Sequence, residues 1–137
     1  MLTLELARRC LDAAEEAARE RGLALTFAVV DAAGHLVALH RMDGAPWITP
    51  DIAIGKAWTA AAYAAPSAAQ GQKMRDLVAF SASVSAATGG RFTPQVGGLP
   101  IVLDGEPAGG MGASGASGQE DEDAVRAGLE AIGVAPV

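Results

Sequence analysis

The chain has 137 residues, with ten basic and sixteen acidic side chains, a net charge of −6 and a single cysteine, Cys10. That length suits one domain, 1–137, able to bury a core unaided, and a lone cysteine excludes an internal disulfide and a thiolate metal cage. No basic stripe interleaved with aromatics addresses nucleic acid, and no apolar window approaches a membrane span.

The N-terminus, MLTLELARRCLDAAEEAARERG, is amphipathic and lacks the apolar stretch of an export signal, so the expected location is cytoplasmic. Leu4, Ala7, Leu11, Ala14 and Ala18 recur at helical spacing, predicting a helix from Thr3 to about Arg21. Thr3 suits the N-cap and Gly22 the position after the end. Cys10 sits among apolar neighbours on that helix, where a buried, inert thiol is expected.

LALTFAVVD, AAGH and LVALHR follow, two apolar runs around a short glycine-containing connection that predict a hairpin over 24–31 and 36–41. Alternation places His40 and Arg41 on opposite faces of its second strand. Asp43-Gly44 and Pro46 punctuate a loop, after which Thr49-Pro50 starts a helix running to about Tyr63. Ser67 and Gln70 have capping-box spacing for a short second helix. From Asp76 to Ala87 the pattern is ambiguous. Gly89-Gly90, Pro94 and Gly97-Gly98 mark a long irregular segment.

LPIVLDGEPAGGMGASG then reads as a second hairpin with Asp104-Gly105 at its turn, and its glycines predict close approach by another backbone or a ligand. Ser117 and Glu120 form another capping box, opening a final helix to about Ile132. The order α-β-β-α-α-β-β-α, with hairpins in place of alternating units, predicts an α+β fold. Its centre is an antiparallel sheet built from two hairpins and flanked by helices. Half the residues are apolar yet aromatics are only 4%, a composition that buries little area per side chain and favours a homo-oligomer.

Chemistry is sparse. His35 and His40, without a cysteine pair or an H-E-x-x-H, do not spell a metal site. Gly110 to Gly115 matches G-x-G-x-x-G, but in a glycine-rich hairpin the letters carry little. The acidic run from Glu120 to Asp123 suits the first turn of the last helix, where carboxylates meet the positive end of the dipole. Arg41, Asp43 and Lys56 stand among small and apolar residues, near Trp47 and Thr59, with Arg91 in the irregular segment able to join them. Either they line a pocket for a carboxylated ligand, or Arg41 and Asp43 fix a turn while Lys56 snorkels out of its helix.

FAVVDAAGHLVALHRMDGA, IAIGKAWTAAAY, GGRFTPQVGGLPIVLDGEPAGGMGASGAS and the ending QEDEDAVRAGLEAI resemble, in this order, the GlcG/HbpS family. These are small haem-binding or haem-degrading-like proteins, and the family also includes the C-terminal domain of PduO-type cobalamin adenosyltransferases. The resemblance covers about Ala24 to Ile132. Arg41, Met42, Asp43 and Gly44 match one motif, and Lys56, Ala57 and Thr59 a second. Gly97, Gly98 and Pro100 match a third, and Gly112, Ser114, Gly115 and Asp121 the last.

The resemblance implies helices on an antiparallel sheet, homo-oligomeric assembly and haem as a cofactor. On the binding reading, a small-molecule ligand such as haem lies between the Arg41–Asp43 turn, the Lys56 helix and the Gly97–Pro100 loop. Arg41 and Lys56 meet its carboxylates, Trp47 or Phe92 covers its apolar face, and Thr59, Arg91, Gly97, Gly98 and Pro100 complete the cleft. His40 or His35 is the candidate iron ligand. On the alternative reading, the protein is a cofactor-independent enzyme acting on a small organic acid, with Lys56 or Asp43 as general acid or base.

Overall fold

Thr3 caps the first helix as its position predicts: its hydroxyl accepts the Leu6 N–H at 3.1 Å, and α1 runs Leu4–Glu20. The structure, a computed structural model, describes residues 1–134. Ala7, Cys10, Leu11, Ala14 and Ala18 form the buried stripe of α1, and Gly22 follows with φ 69°. The first hairpin comprises β1 (Thr26–Asp31) and β2 (Leu36–Arg41). Phe27 faces His40 and Thr26 faces Arg41 across it, so the two polar residues do point to opposite sides of the sheet.

The second helix, α2, spans Thr49–Tyr63, but Thr49 is not its cap. Ile48 holds that position, and the Thr49 hydroxyl instead donates to the Pro46 carbonyl at 2.7 Å while accepting from Thr26 at 2.7 Å. Nor does the Ser67–Gln70 capping box form. Helix α3 (Ser67–Lys73) has Pro66 at its cap, and the Ser67 hydroxyl is drawn away to the Gln95 carbonyl and the Gly98 N–H. The ambiguous segment contains a further helix, α4 (Val78–Ala87), that buries none of its residues. With no buried face, it had no periodic stripe for the sequence to reveal.

Strands β3 (Gly98–Leu103) and β4 (Glu106–Ser114) form the second hairpin. Its two-residue turn has positive φ at both Asp104 (51°) and Gly105 (79°), the conformation that matches strand twist. Helix α5 (Gly118–Ala131) opens on the expected capping box, with Ser117 and Glu120 satisfying each other's backbone N–H.

The four strands form one antiparallel sheet in the order β2-β1-β4-β3, giving the predicted α+β class. Phe27, Val29, Leu99, Ile101 and Met111 pack with the buried residues of α1 and α5 in the main core. Ala28 and Val30, on the opposite face, meet Ala53 and Ala57 of α2. The glycines of β4 explain how α2 lies so close. A Cβ on Gly110 would run into the Ala57 carbonyl, and one on Gly112 would sit 2.6 Å from the Ala57 nitrogen. The close approach read from the sequence is thus made by the protein's own helix, not by a nucleotide. Among the described residues no helix is long and apolar enough to cross a membrane.

Candidate functional site

Lys56 heads a group of buried polar residues. It is 5% exposed, and its Nζ donates to the Ala113 carbonyl at 2.9 Å and to Asp121 Oδ2 at 3.1 Å. Asp121 accepts the Ala116 N–H on its other oxygen at 3.1 Å. Burial pushes the Asp121 carboxyl above the usual carboxylate range, while Lys56 and the Ala116 N–H pull it back. The acidic run therefore does more than face a helix dipole: one of its carboxylates is the counter-charge of Lys56.

Around this pair stand the residues that the sequence singled out at the same time. Gly97 leaves room for the Lys56 side chain, since a Cβ there would be 2.7 Å from Nζ, and a Cβ on Gly98 would meet the Lys56 backbone. Thr59 accepts the Thr93 N–H at 2.8 Å and donates to the Gly55 carbonyl. Pro100 is buried in β3, and Phe92 is buried edge-to-face against Tyr63. These contacts fasten α2, β4, the 88–97 segment and α5 to one another.

Arg41 and Asp43 lie elsewhere. Both are exposed at the end of edge strand β2, two strands away from the Ala113 carbonyl that Lys56 holds. The expectation that Arg41, Asp43 and Lys56 converge on one cleft is corrected accordingly, because the Lys56 helix points its amine inward to a buried carboxylate. Arg41 donates to the Ala45 carbonyl at 3.0 Å. With Glu15, Arg19, His40, Met42 and Asp43 it lines a polar cavity of about 450 Å³. His40 Nδ1 lies 2.5 Å from Glu15 Oε1 there. Trp47, expected to cover a ligand, is 84% exposed.

A different cleft gathers the other candidates. Ala33, Gly34, His35, Leu36, Ile54, Trp58 and Arg91 line about 430 Å³ between the β1–β2 turn, α2 and the loop after α4. The turn is held by Asp31, whose Oδ1 accepts the N–H groups of Ala33 (3.0 Å) and His35 (2.9 Å). Gly34, at φ 83°, rests on the Trp58 indole, which a Cβ would approach to 2.6 Å. The His35 side chain is 82% exposed, with its Nδ1 3.8 Å from Asp31 Oδ2. The sequence reading named His35 and Arg91 but missed Asp31, Ile54 and Trp58. The signal was the four-residue spacing of Ile54 and Trp58, one turn of α2 facing the hairpin.

Among the described residues, no group of three or more His, Cys, Asp or Glu side chains is placed to hold a metal ion. Cys10 is fully buried and its thiol is pushed up to about 11 by desolvation, the inert state expected of it.

A four-stranded antiparallel sheet with α2 on one face and α1 and α5 on the other defines the class. Within it, the description "haem degrading protein HbpS-like" matches residues 2–130, and the chain belongs to that family. It is 32% identical over 126 residues to an uncharacterized 15.0 kDa protein of the dhaT-dhaS intergenic region of Citrobacter freundii, covering 88% of this chain and 84% of that one. Protein GlcG of Escherichia coli is 31% identical over 114 residues, 83% of this chain and 81% of its own.

Two solved structures share the fold closely. The PduOC:heme complex superposes with a TM-score of 0.88 at 27% identity, covering 97% of this chain and 96% of that one. A double mutant of Streptomyces reticuli HbpS gives 0.84 at 33% identity, covering 96% and 86%.

Proposed function

We propose that the protein binds haem, or a similar planar carboxylated ligand, in the cleft of His35, Trp58 and Arg91. The observation that carries this reading is the donor set of that cleft. An exposed imidazole, an indole, two aliphatic side chains and a guanidinium line one cavity of a size usual for cofactor sites. Arg91 Nη1 is held by the Thr88 carbonyl at 3.2 Å, which leaves other guanidinium donors for a carboxylate. Asp31 stands on the Nδ1 side of His35, so Nε2 is the nitrogen left to ligate iron. Leu36, Ile54 and Trp58 offer apolar surface to a macrocycle. Bound haem would supply iron-centred ligand binding and redox chemistry. The residues would position the ring, neutralise a propionate and ligate the metal. The family description and the PduOC:heme relative support the choice of haem.

The test is a haemin titration followed by absorbance on the wild type and on His35→Ala and His40→Ala separately. A saturable Soret shift at about one haem per chain, lost only in His35→Ala, is expected. Loss in His40→Ala alone would move the site to the other cavity, and no shift in any protein would refute haem binding.

Homo-oligomeric assembly is proposed through α4. Its ten residues carry no charge and none is fully buried in its own chain, and Leu77, Val78 and Phe80 are 50%, 74% and 56% exposed. An uncharged apolar helix is self-compatible, and a second copy supplies the burial that this small-residue chain lacks.

A further inference from the structure

The cavity at the end of β2 is built differently from the His35 cleft, and its charges are incompletely paired. Glu15 is committed to His40 at 2.5 Å, and Arg19 to Glu16 at 2.8 Å. Among the described residues, Arg41 and Asp43 belong to no ion pair although they are two positions apart. The bond from Arg41 Nη1 to the Ala45 carbonyl fixes the guanidinium and leaves its remaining donors unused. Among the described residues, Asp43 accepts no hydrogen bond on its carboxylate. Both residues line, with Glu15, Arg19, His40 and Met42, one cavity of about 450 Å³ at the end of β2.

We propose that this cavity is a second binding site, for a small zwitterion bearing a carboxylate and an ammonium group, that is, an amino acid. The carboxylate meets Arg41 and the ammonium meets Asp43. Glu15 holds Nδ1 of His40, so the other ring nitrogen is the one available to a polar group on the ligand's side chain. A simple anion fits less well, because Asp43 would repel it. A simple cation meets Arg41 in the same way. Four of its six lining residues carry a charge, against one of the seven that line the His35 cleft, and the two cavities share no residue. The site is therefore independent of the haem reading.

The His40 ring protons report occupancy by NMR, and the His40→Gln protein assigns them against His35. The probes are L-alanine, L-glutamate and L-lysine, with acetate and methylamine as half-ligands and sodium chloride as the ionic-strength control. A saturable shift with at least one amino acid is expected, with each half-ligand binding about tenfold or more weakly, the factor a charged hydrogen bond carries. Arg41→Gln and Asp43→Asn should each weaken it about tenfold as well, while Arg41→Lys, which keeps the charge, separates loss of binding from loss of fold. Shifts that only track ionic strength would overturn the proposal. So would acetate matching the best amino acid, which would leave a plain anion site.

Discussion

Lys56 and Asp121 are 65 positions apart, yet their charged atoms meet at 3.1 Å in the interior, at side-chain exposures of 6% and 2%. A buried pair of this kind costs desolvation, so it stabilises weakly against an apolar alternative but strongly against the loss of one partner. Lys56→Met and Asp121→Asn are each expected to lower the unfolding free energy by about 3–5 kcal/mol. The double variant should lose less than the two singles together, by about 1–3 kcal/mol of coupling. Urea denaturation of the four proteins measures this cycle, and strict additivity would mean that the charges do not hold each other.

Cys10 gives the fold a handle at alkaline pH. Its thiol titrates near 11 when folded, against an ordinary value of 9.0. The folded state therefore keeps a proton that the unfolded state gives up, and stability falls as pH rises from about 9 through 11. The full loss is about 2–3 kcal/mol. Subtracting the pH profile of Cys10→Ala from that of the wild type should leave this decline, because every other side chain is common to both proteins. A flat difference would contradict the burial of the thiol.

Gly112 is one of two positions in β4 where α2 lies too close for a side chain. Its Cβ would meet the Ala53 carbonyl and the Ala57 nitrogen, both backbone, which no rotamer change can clear. Gly112→Ala should destabilise the protein by about 1–3 kcal/mol, the range for overpacking. A midpoint of thermal unfolding unchanged from wild type would show that the helix can lift without cost.

Helix α4 is expected to respond in the opposite way to substitution. Phe80 and Val78 are exposed in the single chain, so Phe80→Glu and Val78→Lys should change monomer stability by less than about 0.5 kcal/mol. The mass measured by light scattering should nonetheless fall to that of one chain. An unaltered mass for both variants would exclude this helix from the contact.

What the sequence disclosed was mostly what is local. Thr3, Ser117 with Glu120, and Asp104-Gly105 act through residues two to four positions away, and their caps and turn were legible in the chain. Ser67 and Thr49 have the same letters as caps, yet the Ser67 hydroxyl is claimed by partners 28 and 31 residues off, and that of Thr49 is shared between Pro46 and Thr26, 23 residues away. The candidate site failed to read correctly for the same reason. Lys56 is odd for a solvated lysine, as its neighbours indicate, but the carboxylate that explains it lies on another helix. Nothing in the spacing of the acidic run distinguishes Asp121 from the acids beside it.

The free edge of β3 is blunted against an incoming strand. The outward N–H of Gly98 is already taken by the Ser67 hydroxyl at 2.9 Å, and two residues on, facing the same way, stands Pro100 with no N–H to offer. A strand sliding in from another molecule would find no donor at either place, so runaway β-aggregation along that side is discouraged. A proline inside a motif selected for its letters thus helps keep a concentrated solution of this protein from becoming a fibre.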